Sequence, residues 1–232
     1  MRKMRIALQG LAIVCFACCV CACAGCASPQ KDWTELPQGE KYEIKYVLDG
    51  ESSAIPEYLW KEKGNYPEEY TENIATKIHG LRAYRKDDDT VYAFSGWYYD
   101  AEYQNPVEGN IISATQTGDV TLYAKMTERA PTDGDEIVSF ITYKWNDFGT
   151  MKEGVDSFPE QMVDGVSFPM EYVEGKGVKL PSLKTWKQGK STYEFEGWCY
   201  DANLKEPLSG NEISKEKTGN VTVYAALAVW IG

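Results

Sequence analysis

The feature that most constrains this chain is a duplication. Ala93 to Ala124 reads AFSGWYYDAEYQNPVEGNIISATQTGDVTLYA, and Glu194 to Ala225 reads EFEGWCYDANLKEPLSGNEISKEKTGNVTVYA. At a constant offset of 101, 17 of these 32 positions are identical without a gap. Self-similarity of this kind marks a modular array. The likeness continues upstream at an offset of 102, where Glu69-Tyr70 matches Glu171-Tyr172, Lys77-Ile78 matches Lys179-Leu180, and Leu81 matches Leu183. Further back, Tyr42 to Tyr46 has a counterpart in Val138 to Tyr143. Two domains follow, 41–127 and 136–232, with a linker at 128–135 that carries Pro131, Gly134 and three acids and reads as a polar hinge.

The local patterns within each unit are mostly β. Val120 to Ala124 and Val221 to Ala225 alternate apolar with amphipathic side chains, the mark of half-buried strands, and Gly118-Asp119 and Gly219-Asn220 supply the turns before them. Phe94 and Trp97 are three residues apart, so strict alternation would send them to opposite faces. A bulge at Gly96 puts both rings on the core side, and the same holds for Phe195, Gly197 and Trp198. These six residues, with Tyr123 and Tyr224, are expected to define the two cores. No long amphipathic helix is legible; short helical turns are expected near Ile74–His79 or Ile112–Thr117. The expected class is mostly β, small α+β.

The N-terminus reads as an export signal. Arg2, Lys3 and Arg5 precede an apolar run from Ile6 to about Ala24, and the small residues Ala24-Gly25 stand directly before Cys26. This resembles the lipobox of bacterial lipoproteins, with Cys23 where that family usually has Leu. The resemblance implies a signal peptide at 1–25, diacylglycerol and an acyl chain such as palmitate on Cys26, and a polar tether at 26–40. Localisation would be the outer face of the bacterial cell membrane, which becomes a partner through the lipid. Five of the seven cysteines leave with such a leader and Cys26 is acylated, so Cys199 alone remains and no intrachain disulfide can form. The exported chain would hold 21 basic and 35 acidic residues, a net charge of −14 that argues against nucleic acid as a partner.

A second resemblance rests on the duplicated strings. F-x-G-W-x-Y-D-A, then P-x-x-G-N-x-I-S, then T-G-[DN]-V-T-[LV]-Y-A are similar to the internalin B-repeat, also called the Listeria–Bacteroides repeat. Asp49-Gly50-Glu51 and Asn146 to Gly149 stand in place of the usual Asn-Gly-Gly turn, and the middle segments 53–70 and 150–172 are longer than the family norm. The resemblance implies two tandem β-grasp-like domains, displayed at the surface as spacer or adhesive modules.

Chemistry is sparse by comparison. One histidine, His79, serves the whole chain, so a His dyad or multi-His metal site is excluded, and His79 reads as a loop side chain. Asp87-Asp88-Asp89 lacks calcium-loop spacing and reads as a solvated turn. Asp100 and Asp201 recur after Tyr99 and Tyr200, where an Asp opens a turn by binding backbone amides. Cys199 is expected at a half-exposed strand position, not as a nucleophile. No cofactor or metal, and no catalysis, is expected. Of 30 aromatic residues many must be core, including Tyr84 and its match Trp186, but Tyr58, Tyr66 and Tyr103 exceed that need and are the candidate ligand contacts. The function expected is a non-catalytic, lipid-anchored binding or adhesive module with a protein or glycan ligand at the cell surface. A ligand-free spacer, or a subunit of a surface assembly, is the alternative.

Overall fold

The computed structural model describes residues 39–48, 54–62, 64–147 and 149–232, and these belong to one compact unit. The leader, the lipid site at Cys26 and most of the tether lie outside the described residues, as do Asp49-Gly50-Glu51 and Phe148. The first repeat runs β1 (Lys41–Leu48), β2 (Glu69–Thr71), β3 (Thr76–Lys77), β4 (Ala83–Arg85), β5 (Val91–Tyr98), β6 (Ile111–Ile112) and β7 (Val120–Arg129). The second runs β8 (Ile137–Asp147), β9 (Thr150–Glu153), a one-turn helix α1 (Glu160–Val163), β10 (Glu171–Val173), β11 (Val178–Lys179), β12 (Trp186–Gln188), β13 (Ser191–Cys199), β14 (Glu212–Ile213) and β15 (Val221–Ile231). The class is mostly β.

Each repeat is built around its closing strand. β7 lies parallel to β1, with Ile44 opposite Val120, and antiparallel to β5; β15 lies in the same way between β8 and β13, with Ile141 opposite Val221. The alternation legible in the sequence becomes alternating burial, with Val120, Leu122 and Ala124 inward and Thr121 and Tyr123 half-exposed. The register slips between Phe94 and Gly96 and again between Phe195 and Gly197. Gly96 sits at φ 154° and Gly197 at φ 150°, backbone that side chains disfavour, so the bulge requires glycine. The slip brings Phe94 and Trp97 to 5.3 Å between ring centroids, and Phe195 and Trp198 to the same distance. Both tryptophans are fully buried, and their indole N–H groups donate to the carbonyls of His79 and Pro181. Tyr123 and Tyr224, expected in the cores, instead alternate out of them and are half-exposed, because strand period two places them between the inward residues.

The two repeats share one sheet. Its order is β12-β13-β15-β8-β4-β5-β7-β1-β2, because β4 pairs in parallel with β8 through Ala83 opposite Ile137 and Tyr84 opposite Val138. Ala83, Val91, Ala93 and Ile137 form a small apolar core at this junction. Beside it the Glu174 carboxylate accepts from Arg85 Nε at 2.8 Å and Nη2 at 3.0 Å, from Ser139 Oγ at 2.5 Å and from the Gly219 amide at 2.9 Å. The Arg85 and Glu174 side chains are only 7% and 10% exposed. Residues 128–135 therefore do not behave as the free hinge expected from their polarity. Glu128 and Arg129 belong to β7, and the Arg129 guanidinium clasps both oxygens of Asp135 at 2.8 and 2.7 Å. Polarity in this stretch reflects charges satisfied by one another, which composition alone does not distinguish from charges left to water.

Two further expectations change, and one element is new. The segments near Ile74 and Ile112 are not helical: Thr76-Lys77 and Ile111-Ile112 pair as a two-stranded sheet, β3 with β6. Cys199 is buried rather than half-exposed, and burial raises its thiol pKa, with Asp201 adding to the effect. The only α-helix among the described residues, α1, comes from the long middle segment of the second repeat, where no periodicity announced it.

Three outcomes follow. Protease cleavage within 130–135 is expected to leave two fragments that co-elute as one particle, because the β4–β8 pairing and the buried ion pair persist. Arg85→Ala strands a buried carboxylate and is expected to cost about 3 kcal/mol in urea unfolding and to let the nicked fragments separate. Acid acts on the same region. Asp135 is pulled down to about 2, first by its bond to Arg129. A carboxylate lowered on folding contributes stability above its unfolded value of roughly 4, and loses it as pH falls toward the folded value. Asp135→Asn should therefore flatten the pH dependence of the melting temperature below roughly pH 4.

Candidate functional site

The strongest candidate site is a cleft in the first repeat, about 740 Å³ in volume and within the size range of ligand clefts. Tyr46 of β1, Trp60 and Tyr66 form its aromatic wall, all half-buried. The Tyr46 ring meets Trp60 at 5.6 Å and Tyr66 at 6.1 Å, each near perpendicular, and Trp60 lies 4.3 Å from Tyr66. Hydrogen bonds hold the rings in place: Tyr46 donates its hydroxyl to the Pro67 carbonyl at 2.8 Å and Tyr66 donates to that of Gly80 at 2.8 Å. Burial raises both phenol pKa values. These tyrosines stay neutral and rigid.

Arg82 sets the depth of the cleft. Its Nη1 donates to the carbonyls of Tyr58 and Trp60, and its Nη2 to that of Lys61 at 2.6 Å, so the guanidinium ties together the segment bearing Trp60. Its Nε is buried and finds no partner among the described residues. Glu57, Glu62 and Glu68 are exposed at the cleft. Lys61, Glu62 and Arg82 also line an adjoining hollow of about 270 Å³, with Asn65, His79, Glu136 and Lys176. Glu136 and Lys176 belong to the second repeat and form a 3.0 Å ion pair, which holds the Glu136 carboxyl below its ordinary value. The groove thus continues across the junction.

The second repeat carries different residues at the matching positions. Ile55-Pro56-Glu57-Tyr58-Leu59-Trp60 corresponds to Phe158-Pro159-Glu160-Gln161-Met162-Val163, as the bonds from the Arg82 amide to Leu59 and from the Lys184 amide to Met162 show. Where the first repeat has Ile55, the second has Phe158, which is buried and stacked between Trp145 and Phe168. Where the first has Trp60 and Arg82, the second has Val163 and Lys184. The first copy thus has the smaller side chain below and the larger ring at the rim.

The structure separates the three candidate tyrosines. Only Tyr66 lines the cleft. Tyr58 lies at the repeat junction, edge-on to Phe140 at 5.5 Å. Tyr103 packs edge-on to Tyr98 at 5.3 Å, beneath the Lys125 ammonium. Asp100 accepts from the amides of Gln104 and Asn105 at 2.9 and 2.6 Å, and Asp201 accepts from those of Asn203, Lys205 and Glu206. Those carboxylates close turns. Asp87 does likewise toward the amides of Asp89 and Thr90, and His79 is exposed at the groove.

A family profile, the Listeria-Bacteroides repeat domain, matches residues 42–125 and 162–226. The chain belongs to this family. The first match spans the cleft-bearing repeat almost end to end, and the second begins at Met162. No curated protein and no solved structure matches the chain. The cleft thus sits on a Listeria-Bacteroides repeat whose paired copy shares its scaffold and differs at its lining residues.

Stability should show the difference. Phe158→Ala empties a buried ring site and is expected to cost about 3–5 kcal/mol, whereas Trp60→Ala removes a half-exposed ring and should cost less than about 2 kcal/mol. Chemical denaturation of both variants measures the contrast. Equal losses would mean that Trp60 is a core residue and the cleft a packing fault.

Proposed function

We propose that this chain is a non-catalytic, lipid-anchored module at the bacterial cell surface that binds its ligand in the aromatic cleft of the first repeat. The observation that carries the reading is the asymmetry between the repeats. Both copies keep the bulge, the buried tryptophan and the closing strand, and they diverge at the residues of the cleft, where Trp60 and Arg82 of the first repeat stand against Val163 and Lys184 of the second. A pure spacer would have no use for that divergence, because reach depends on the scaffold alone.

Membership in the Listeria-Bacteroides repeat family supports a surface-associated repeat module. The leader, with Ala24-Gly25-Cys26 after a basic and apolar run, supports export and a lipid on Cys26. The non-catalytic reading draws on the duplicated acids, which bind backbone amides, and on Arg82, which is engaged with carbonyls. The partners on this reading are the membrane, through the lipid, and one surface ligand; nucleic acid is disfavoured by a net charge of −11.

Metabolic labelling with palmitate tests the anchor: the wild type should be labelled and Cys26→Ser should not. Attachment of expressing cells to host matrix and to other cells tests the cleft. Trp60→Ala should reduce attachment at least tenfold at unchanged surface level, with Tyr103→Ala as a control that leaves it intact. Equal attachment of the Trp60 variant and the wild type would favour the spacer.

A further inference from the structure

We infer that the ligand of this groove is a neutral oligosaccharide long enough to run from the aromatic cleft across the repeat junction. The inference rests on the binding reading above and names the ligand class for the same site. Its first support is shape. The cleft and the adjoining hollow share Lys61, Glu62 and Arg82, so they form one elongated groove, aromatic at one end and polar at the other. The far end is supplied by Glu136 and Lys176 of the second repeat, and the shared sheet fixes its distance from Trp60.

The second support is the balance of charge along the groove. Its acids are Glu57, Glu62, Glu68 and Glu136, and its cations Lys61, Arg82 and Lys176. They are interspersed rather than separated. A uniformly basic segment would meet Lys61 and Lys176, and a uniformly acidic one would meet the glutamates. A purely apolar helix or strand would dehydrate Glu57, Lys61, Glu62 and Glu68 and offer them no partner, at a cost of several kcal/mol in all. A polyhydroxylated neutral chain suits both signs, because each hydroxyl donates to carboxylates and accepts from ammonium, amide or guanidinium groups. The C–H face of a pyranose ring is apolar and packs on aromatic rings, which matches the wall formed by Tyr46, Trp60 and Tyr66.

The test is titration calorimetry on the full chain in a sugar-free detergent, using neutral disaccharides and hexasaccharides of glucose, mannose, galactose and N-acetylglucosamine. At least one hexasaccharide should bind, with affinity that changes less than threefold between 50 and 300 mM salt. Trp60→Ala should weaken it at least tenfold and Trp60→Phe by less, with the melting temperature checked for each variant. Lys176→Ala should weaken the hexasaccharide and leave the matching disaccharide unchanged, since only the longer chain reaches the junction. Silence from every saccharide, steep salt dependence, or binding indifferent to Trp60→Ala would overturn the assignment. If saccharides fail while cell attachment still depends on Trp60, the binding reading stands and the ligand is a protein. If attachment is also indifferent to Trp60, both fall.

Discussion

The structure turns on a single carboxylate. Glu174 gathers Arg85 from the first repeat, together with Ser139 and the Gly219 amide from its own, and all four donor atoms reach it within 3.0 Å. A charge removed from water is tolerated only when its partners are this complete. Burial works against the ionised form, yet the bonds from Arg85, Ser139 and Gly219 outweigh it and hold the carboxyl below its ordinary value. The consequence is geometric. Two modules that could each have closed their own sheet are held as one, and a groove can draw residues from both.

That coupling explains where the copies differ outside the duplicated string. The first repeat presents Ala83, Arg85, Val91 and Ala93 to the junction, and the second answers with Ile137 and Glu174. The equivalent surface of the second repeat reads Thr185, Lys187, Thr192 and Glu194, and the strand position matching Ile137 in the first repeat is Glu40. Positions covered by a neighbour are apolar or paired, and their unpaired counterparts are polar. Burial, not module identity, set the residue type there. Ile55 and Phe158 are both buried, and there the copies differ in side-chain volume.

Much of the fold was legible in the sequence because it depends on local signals. Gly96 and Gly197, three-residue spacing of rings and alternating closing strands each leave a pattern in adjacent residues. The shared sheet leaves none, because Ala83 and Ile137 are far apart in the chain and neither is unusual by itself. The linker misled for a related reason: Arg129 and Asp135 look solvent-bound in composition and are bound to each other in space. Of the cleft, only Tyr66 was singled out. Trp60 and Arg82 lay upstream of the gapless string, in a segment of unequal length between the copies. The signal that could have exposed them is the pair Ile55-Pro56-Glu57 and Phe158-Pro159-Glu160, from which Trp60 against Val163 follows by counting.

Duplication followed by divergence then gives a physical order to the molecule. The bulge, buried indole and closing strand are maintained in both copies because each copy needs a core of its own: the two large clusters are centred separately on Trp97 and Trp198. Once those cores stand, the segment between β1 and β2, and its longer equivalent between β8 and β10, is free to change. One copy used that freedom to place Phe158 in its core; the other placed Trp60 at a rim and drew Arg82 beneath it. Arg82 links the two levels. Its Nη atoms fix the backbone that carries Trp60, while its position against the hollow shared with Glu136 and Lys176 brings the first repeat's rings into line with the second repeat's charges. A ring-lined opening on an isolated module would be a short pocket; held against a neighbour by the Glu174 lock, it becomes one end of a groove.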